Sequence, residues 1–197
     1  MDPLGDLRFV LALAAVVSCQ RPTPTRVRNG EIEVRRVTAE AATRRTAGTA
    51  RAAVRGDWIL RDHDLHVSIA GTEATLRNER PGTITQVIHR SFPEVETVRT
   101  IEPFLRVGER EATFSEVRFE AAMVAATPLL RLRAKARAGE AVLDVDREYF
   151  LEPGRHALHV RTRVTNTSPR SVEAVVWGVR LEWEAGAPFA PGLGTLT

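Results

Sequence analysis

The strongest constraint on the fold is a two-residue periodicity that runs through residues 129–164. In "LLRLRAKAR", Leu130, Leu132, Ala134 and Ala136 share one parity and Arg131, Arg133, Lys135 and Arg137 the other. In "VLDVDREYFL", Leu143, Val145, Tyr149 and Leu151 are opposed by Asp144, Asp146 and Glu148. In "HALHVRTRV", Leu158, Val160 and Val164 are opposed by His159, Arg161 and Arg163. Successive side chains of a strand point to opposite faces, so this alternation describes strands with one buried face. Gly139 and the Pro153-Gly154 pair separate the segments, which therefore read as a meander with basic, acidic and basic outer faces. Opposite charges facing one another across strands help to set register, although each exposed pair contributes only about 0–1 kcal/mol. Arg147 breaks the pattern, because its parity places it among apolar residues. Two fates are open to it: burial beside a carboxylate, or a bulge that turns it outward.

The same rhythm extends over the chain from Gly56. Short apolar runs alternate with turn signals at Gly71, Pro81-Gly82, Gly108, Gly139, Pro153-Gly154 and Ser168-Pro169. This pattern predicts an all-β, antiparallel β-sandwich over residues 56–197. Residues 19–55 read as a tether: a proline- and threonine-rich start, an Asn29-Gly30 turn and a short strand near 31–35. Residues 38–54, rich in alanine, threonine and arginine, read as a marginal helix or a linker.

Residues 9–17 form an apolar run of nine. A bilayer span needs about 20 residues, so the run fits the h-region of a signal peptide instead. Val16-Val17-Ser18-Cys19 follows, and it resembles a bacterial lipobox. The resemblance implies a signal peptide over residues 1–18, cleavage between Ser18 and Cys19, and lipid on the Cys19 thiol. Two or more acyl chains would give stable anchoring. Gln20 in place of aspartate implies, by the same sorting pattern, the outer rather than the inner membrane. Asp2 and Asp6 offset Arg8 where such signals are usually basic, and an ordinary cleaved signal peptide is the alternative. Cys19 is the sole cysteine, so an intrachain disulfide is excluded. Nothing nearby would lower its pKa as a redox thiol requires.

Charge excludes a further class. The 28 basic residues, of which only Lys135 is lysine, are interspersed with 25 acidic ones for a net +3. There is no basic arm and a single tyrosine, so nucleic acid is not expected as a partner.

"RDHDLHV" brings Asp62, His63, Asp64 and His66 together. On a strand Asp62, Asp64 and His66 would share a side and offer two carboxylates and an imidazole to a metal. The simpler reading is a hairpin, with Asp62-His63-Asp64 as the polar turn between strands at 58–60 and 65–69. No second cluster has the spacing to complete a catalytic zinc site, and neither metal nor other cofactor is expected. Asp144, Asp146 and Glu148 read as a salt-bridge ladder, because flanking arginines would compete with a cation. His156 and His159 fall on opposite faces of a strand. Ser115 and Ser171 lack a nucleophile-elbow context, and there is no Gly-rich phosphate loop. Trp177 and Trp183 share a parity with Val175, Val179 and Leu181. They are the candidate sugar-stacking pair, with a core-facing role preferred because of those aliphatic neighbours.

Three segments carry a resemblance: "GDWILRDHDLHVSIAG" (56–71), "REYFLEPGRHALHVRTRVTNTS" (147–168) and "PFAPGLG" (188–194). In this order they resemble the N-terminal β-domain of bacterial lipoproteins that end in a PHP-type, CehA/McbA-like metallohydrolase domain. The middle segment is also similar to supersandwich folds of the galactose-mutarotase kind. The resemblance implies a non-catalytic domain placed before an enzyme, and it carries no metal ligand onto any residue of this sequence. A mutarotase site would need two histidines and a carboxylate in one cleft. His156, His159 and Glu182 provide the residue types, but their spacing does not support it. The expectation is thus a lipid-anchored cell-envelope protein whose β-sandwich binds a glycan or protein ligand, or acts as a spacer. The alternatives are the front part of a PHP-type hydrolase, and a carbohydrate-binding domain. Fold alone licenses no activity.

Overall fold

The computed structural model describes residues 24–38, 53–77, 79–89, 98–152, 154–155, 157–183, 189–190 and 194–195. One sheet contains β1 (Arg26–Arg28), β2 (Glu33–Arg36), β3 (Trp58–Arg61), β4 (Leu65–Ile69), β5 (Ile84–His89), β6 (Val98–Val107) and the short β7 (Arg110–Glu111). The other contains β8 (Thr113–Val124), β9 (Thr127–Ala138), β10 (Ala141–Glu152) and β11 (Ala157–Asn166). The chain then returns to the first sheet as β12 (Val175–Trp183), and β13 (Phe189–Ala190) pairs with β14 (Gly194–Thr195). The larger sheet has the order β1-β2-β3-β4-β5-β6-β12 with β7 beside β6, and the smaller the order β11-β10-β9-β8. Every pairing is antiparallel. Among the described residues the only helical element is a 3-10 turn at Thr72–Arg77. The chain is therefore all-β, with two antiparallel sheets face to face.

Parity explains which side each strand buries. Leu130, Leu132 and Ala134 of β9 and Tyr149 and Leu151 of β10 join Ile32, Val34, Trp58, Leu60, Val67 and Ile69 in the main core. A second cluster joins Leu105 of β6, Ala112, Ala136 of β9, and Leu143 and Val145 of β10. The middle of the larger sheet departs from one-faced alternation. Ile59 and Ser68 have the parity opposite to the core residues, and Gln86 and Ile88 join that face as register partners of Ser68 and His66, yet none of the four is more than 6% exposed. This is why "WIL" reads as an unbroken apolar run: β3 is buried on both faces.

Two strands of the larger sheet precede Gly56. β1 and β2 belong to the larger sheet, and Ile32 and Val34 are fully buried in the main core. The Asn29-Gly30 turn joins them, with Asn29 Oδ1 accepting from the amides of Glu31 (3.1 Å) and Ile32 (2.6 Å). A segment read as a tether with one short strand near 31–35 thus supplies two, with Ile32 and Val34 of "EIEVRR" in the core.

The β8–β9 hairpin turns through Ala125 and Ala126, both with positive φ (47° and 65°). That is the geometry of a tight primed turn, which asparagine and glycine favour and alanine does not. Asn29 Nδ2 donates to the Ala126 carbonyl at 3.0 Å and ties this turn to the β1–β2 turn.

Candidate functional site

The Asp62 cluster is a turn. β3 and β4 form a hairpin with Arg61 opposite His66. Asp62 Oδ1 accepts from the amides of Asp64 (2.7 Å) and Leu65 (2.6 Å), and the Asp62 amide donates to the Leu65 carbonyl at 3.0 Å. His63 Nδ1 lies 3.0 Å from Asp64 Oδ1. Asp62 Oδ1 is thus directed at the backbone. Among the described residues no group of three or more His, Cys, Asp or Glu side chains is arranged to hold a metal.

The outer face of the smaller sheet is the ladder its parity implies. Asp146 is register partner to Arg133 on β9 and to Arg163 on β11, and Glu148 to Arg131 and Arg161. Arg131 Nη2 reaches Glu148 Oε1 at 2.6 Å, and Arg161 Nη1 reaches Glu148 Oε2 at 3.6 Å. Asp146 lies 3.7 Å from Arg131 Nε and 3.8 Å from Arg133 Nε. The hydrogen bond from Arg131 to Glu148 raises the arginine pKa further above its ordinary range. His159 stacks on Phe150 with ring centroids 5.1 Å apart, and its Nε2 is 3.0 Å from Glu152 Oε2. Glu182 accepts from Thr100 Oγ1 at 3.1 Å. His159 and Glu182 thus have different partners, and His156 lies outside the described residues. Ser115 Oγ donates to the Lys135 carbonyl at 3.5 Å, a strand contact rather than a nucleophile's setting.

Arg147 takes neither of the fates open to it in the sequence. It is 3% exposed, and among the described residues no carboxylate pairs with it. Its Nε donates to Thr162 Oγ1 at 3.0 Å and its Nη1 to the Tyr149 hydroxyl at 3.4 Å. The Tyr149 hydroxyl in turn donates to the Gly82 carbonyl at 2.7 Å. Trp177 lies over the guanidinium, 4.1 Å from ring centroid to Cζ. A guanidinium cannot shed its charge in a protein, and burial without a counter-ion is costly. Hydroxyl dipoles and the negative face of an indole offset that cost here. Burial raises the Tyr149 pKa, and the charge of Arg147 and its hydrogen bond oppose that rise. Gly82 makes the arrangement fit: a Cβ there would stand 2.8 Å from the Tyr149 hydroxyl and 2.7 Å from Leu132 Cδ1. Beside the guanidinium is a space of about 10 Å³, bordered by Phe114, Val145 and Trp177, enough for one water molecule.

Trp177 is partly buried, packed against the second apolar cluster and over Arg147, while Val175, Val179 and Leu181, the neighbours that favoured a core face, are exposed. The Trp183 side chain lies outside the described residues, as do Ser18, Cys19 and the whole apolar run before them. Sequence reasoning missed the Arg147 cluster because its partners come from three different strands. The odd parity of Arg147 was the one available signal.

A third feature is the rim formed by β11 and β12, each of which ends its sheet among the described residues. Val160 shares the inward parity of Leu158 and Val164 but is 44% exposed. Val175, Val179 and Leu181 share the parity of Trp177 and are 41%, 50% and 47% exposed. Apolar residues that point toward the sandwich interior and still meet solvent mark a surface able to take a partner. On the outer side of β12, the Glu111 carboxylate is held by hydrogen bonds from Arg180 and Arg80, which lower its pKa to about 2.

Comparison with family models, with curated proteins and with solved structures finds no match to this chain.

Proposed function

We propose that the chain is a lipid-anchored protein of the bacterial cell envelope whose β-sandwich serves as a binding or spacer domain and catalyses nothing by itself. The observation that carries this reading is Val16-Val17-Ser18-Cys19, placed where a nine-residue apolar run ends and containing the only cysteine. Small side chains before Cys19 suit a peptidase that cuts there, and the thiol is the nucleophile toward the lipid donor. Diacylglyceryl and N-acyl chains together give firm attachment to a bilayer, with the outer membrane favoured by Gln20. The binding role is supported by the exposed inward-facing valines and leucine of β11 and β12. In cells, the wild-type chain should incorporate labelled palmitate and sediment with membranes. Cys19→Ala should abolish the label and release the protein, whereas continued labelling of the variant would sink the reading.

A second reading treats the sandwich as the front part of a PHP-type metal-dependent hydrolase. It is favoured by the three resembling segments and by the exposed apolar face of β12, against which a following domain would pack. Reading the gene beyond codon 197 decides it: an in-frame His-x-His segment supports a hydrolase, and a stop codon with no adjacent open frame refutes it. A carbohydrate reading through Trp177 and Trp183 has less support, since the Trp177 ring already faces a guanidinium.

A further inference from the structure

The smaller sheet carries its charge strand by strand. On the outer face β9 presents Arg131, Arg133 and Lys135, and β10 presents Asp144, Asp146 and Glu148. β11 then presents His159, Arg161 and Arg163, with no acidic residue along its length. β8, at the far side, is mixed: Glu116 pairs with Lys135 at 3.2 Å, and Glu120 faces Arg131, but Arg118 shares the row. From β9 to β11 the order of sign is base, acid, base. The carboxylates of β10 are largely engaged toward β9, and β11 is left with cationic capacity. Arg161 is 73% exposed at its side chain and meets Glu148 only at 3.6 Å. Arg163 is exposed, opposite Asp146 of β10. Val160, on the inward parity of the same strand, is 44% exposed.

We propose that the free edge of β11 is a docking site for an extended polypeptide segment that alternates carboxylate and apolar side chains. Its carboxylates would meet Arg161 and Arg163 on the outer face, as Glu148 and Asp146 of β10 stand opposite them from the other side. Its apolar residues would cover Val160 on the inner face. Main-chain hydrogen bonds along the edge supply affinity, and the two side-chain rows supply register. A second copy of β11 does not fit, because antiparallel pairing would set arginines and histidine against their own kind. Edge arginines repel a like strand and admit an acidic one, so the same residues guard the edge and select its partner. This inference rests on the sandwich being a binding module and is independent of the lipid anchor.

The test uses the full chain in detergent and a fluorescent peptide matched to the 10 residues of β11, alternating glutamate and valine. Anisotropy should show saturable binding that weakens with salt. The pair Arg161→Glu and Arg163→Glu should weaken it by at least about tenfold, which is about 1.4 kcal/mol. Replacing the peptide's glutamates by glutamine should weaken it comparably. N-methylation of the peptide at alternate residues, in the phase that faces β11, should abolish binding. The reversed charges would stand opposite Glu148 and Asp146, so the neutral pair Arg161→Gln and Arg163→Gln, whose thermal melt should match the wild type, separates lost docking from lost stability. Absence of binding, equal binding of a lysine–valine peptide, or indifference to N-methylation in both phases would overturn the proposal. Binding to vesicles containing anionic phospholipid through Arg161 and Arg163, with none to the peptide, would also overturn it. Palmitate labelling reads the anchor separately. A null result with the peptide and intact labelling therefore leaves a tethered spacer and removes only this partner class.

Discussion

Ala121 of β8 and Val160 of β11 both point into the sandwich, yet one is fully buried and the other 44% exposed. The difference lies in what the chain places beside each strand. At the β8 rim the N-terminal strands close the gap: the Ala121 amide faces the Pro24 carbonyl at 3.4 Å, and Val27 packs against the main core. Glu33 pins this rim from below, with Arg26 at 2.8 Å and Arg61 at 2.6 Å from its carboxylate oxygens. At the opposite rim β11 and β12 have no further strand among the described residues. Equal hydrophobicity therefore gives unequal burial: Val34 is 0% and Val179 50% exposed. Neighbouring strands decide which apolar residues contribute to stability, and those left over are available for binding.

The comparison predicts a graded set of effects. Leu130→Ala, in the closed region, removes a fully buried side chain. It should cost about 2–5 kcal/mol in urea unfolding, and a cost below about 1 kcal/mol would mean that this interior is loosely packed. Tyr149→Phe leaves Arg147 Nη1 and the Gly82 carbonyl each without a partner, at an expected cost of about 1–3 kcal/mol. Ala125→Asn with Ala126→Gly relieves two positive-φ alanines and should stabilise by about 1 kcal/mol. Unchanged stability there would place the turn in another geometry.

Acid should act through the closed rim. Burial pushes the Glu33 carboxyl up, but the hydrogen bond from Arg61 and the charges of Arg61, Arg26 and Arg35 outweigh it and hold the pKa below the ordinary 4.5. A folded-state pKa below the unfolded value means stability that is complete above the unfolded pKa and lost as pH falls through the folded one. Stability should therefore decline below about pH 4.5, and Glu33→Gln should flatten that decline. Glu111 adds to it over the range down to its own pKa of about 2. The smallest effect belongs to the open rim. Val179→Ala, at a half-exposed position, should change stability by no more than about 0.5 kcal/mol.

Legibility in the sequence followed the range of the interactions. The faces of β9 and β10 were readable because alternation is local: each buried or charged parity is carried by residues two apart. The Asp62 turn was readable because aspartate caps its own backbone two and three residues on. The strand near 31–35 was readable, but that at Arg26–Arg28 was obscured by arginines that alternate with apolar residues in a stretch opened by proline. The Ala125-Ala126 turn carries no residue that signals a positive φ. The pairing of β6 with β12, which sets Trp177 opposite Leu105, joins segments far apart in the chain. The Arg147 setting depends on it, since Trp177 reaches β10 only after β12 has returned to the larger sheet. Parity announced that Arg147 was unusual. Its partners, two hydroxyls and an indole in place of a carboxylate, could be found only once the strands were assembled.

Amide hydrogen exchange, resolved by residue along β10 and β11, tests the asymmetry of the rims most directly. β10 lies between two strands, so its amides should all exchange slowly. On β11 every second amide faces the free edge and should exchange without protection, until the glutamate–valine peptide is added and slows it. Uniform protection along β11 before any peptide is present would contradict the open rim and the docking role assigned to it.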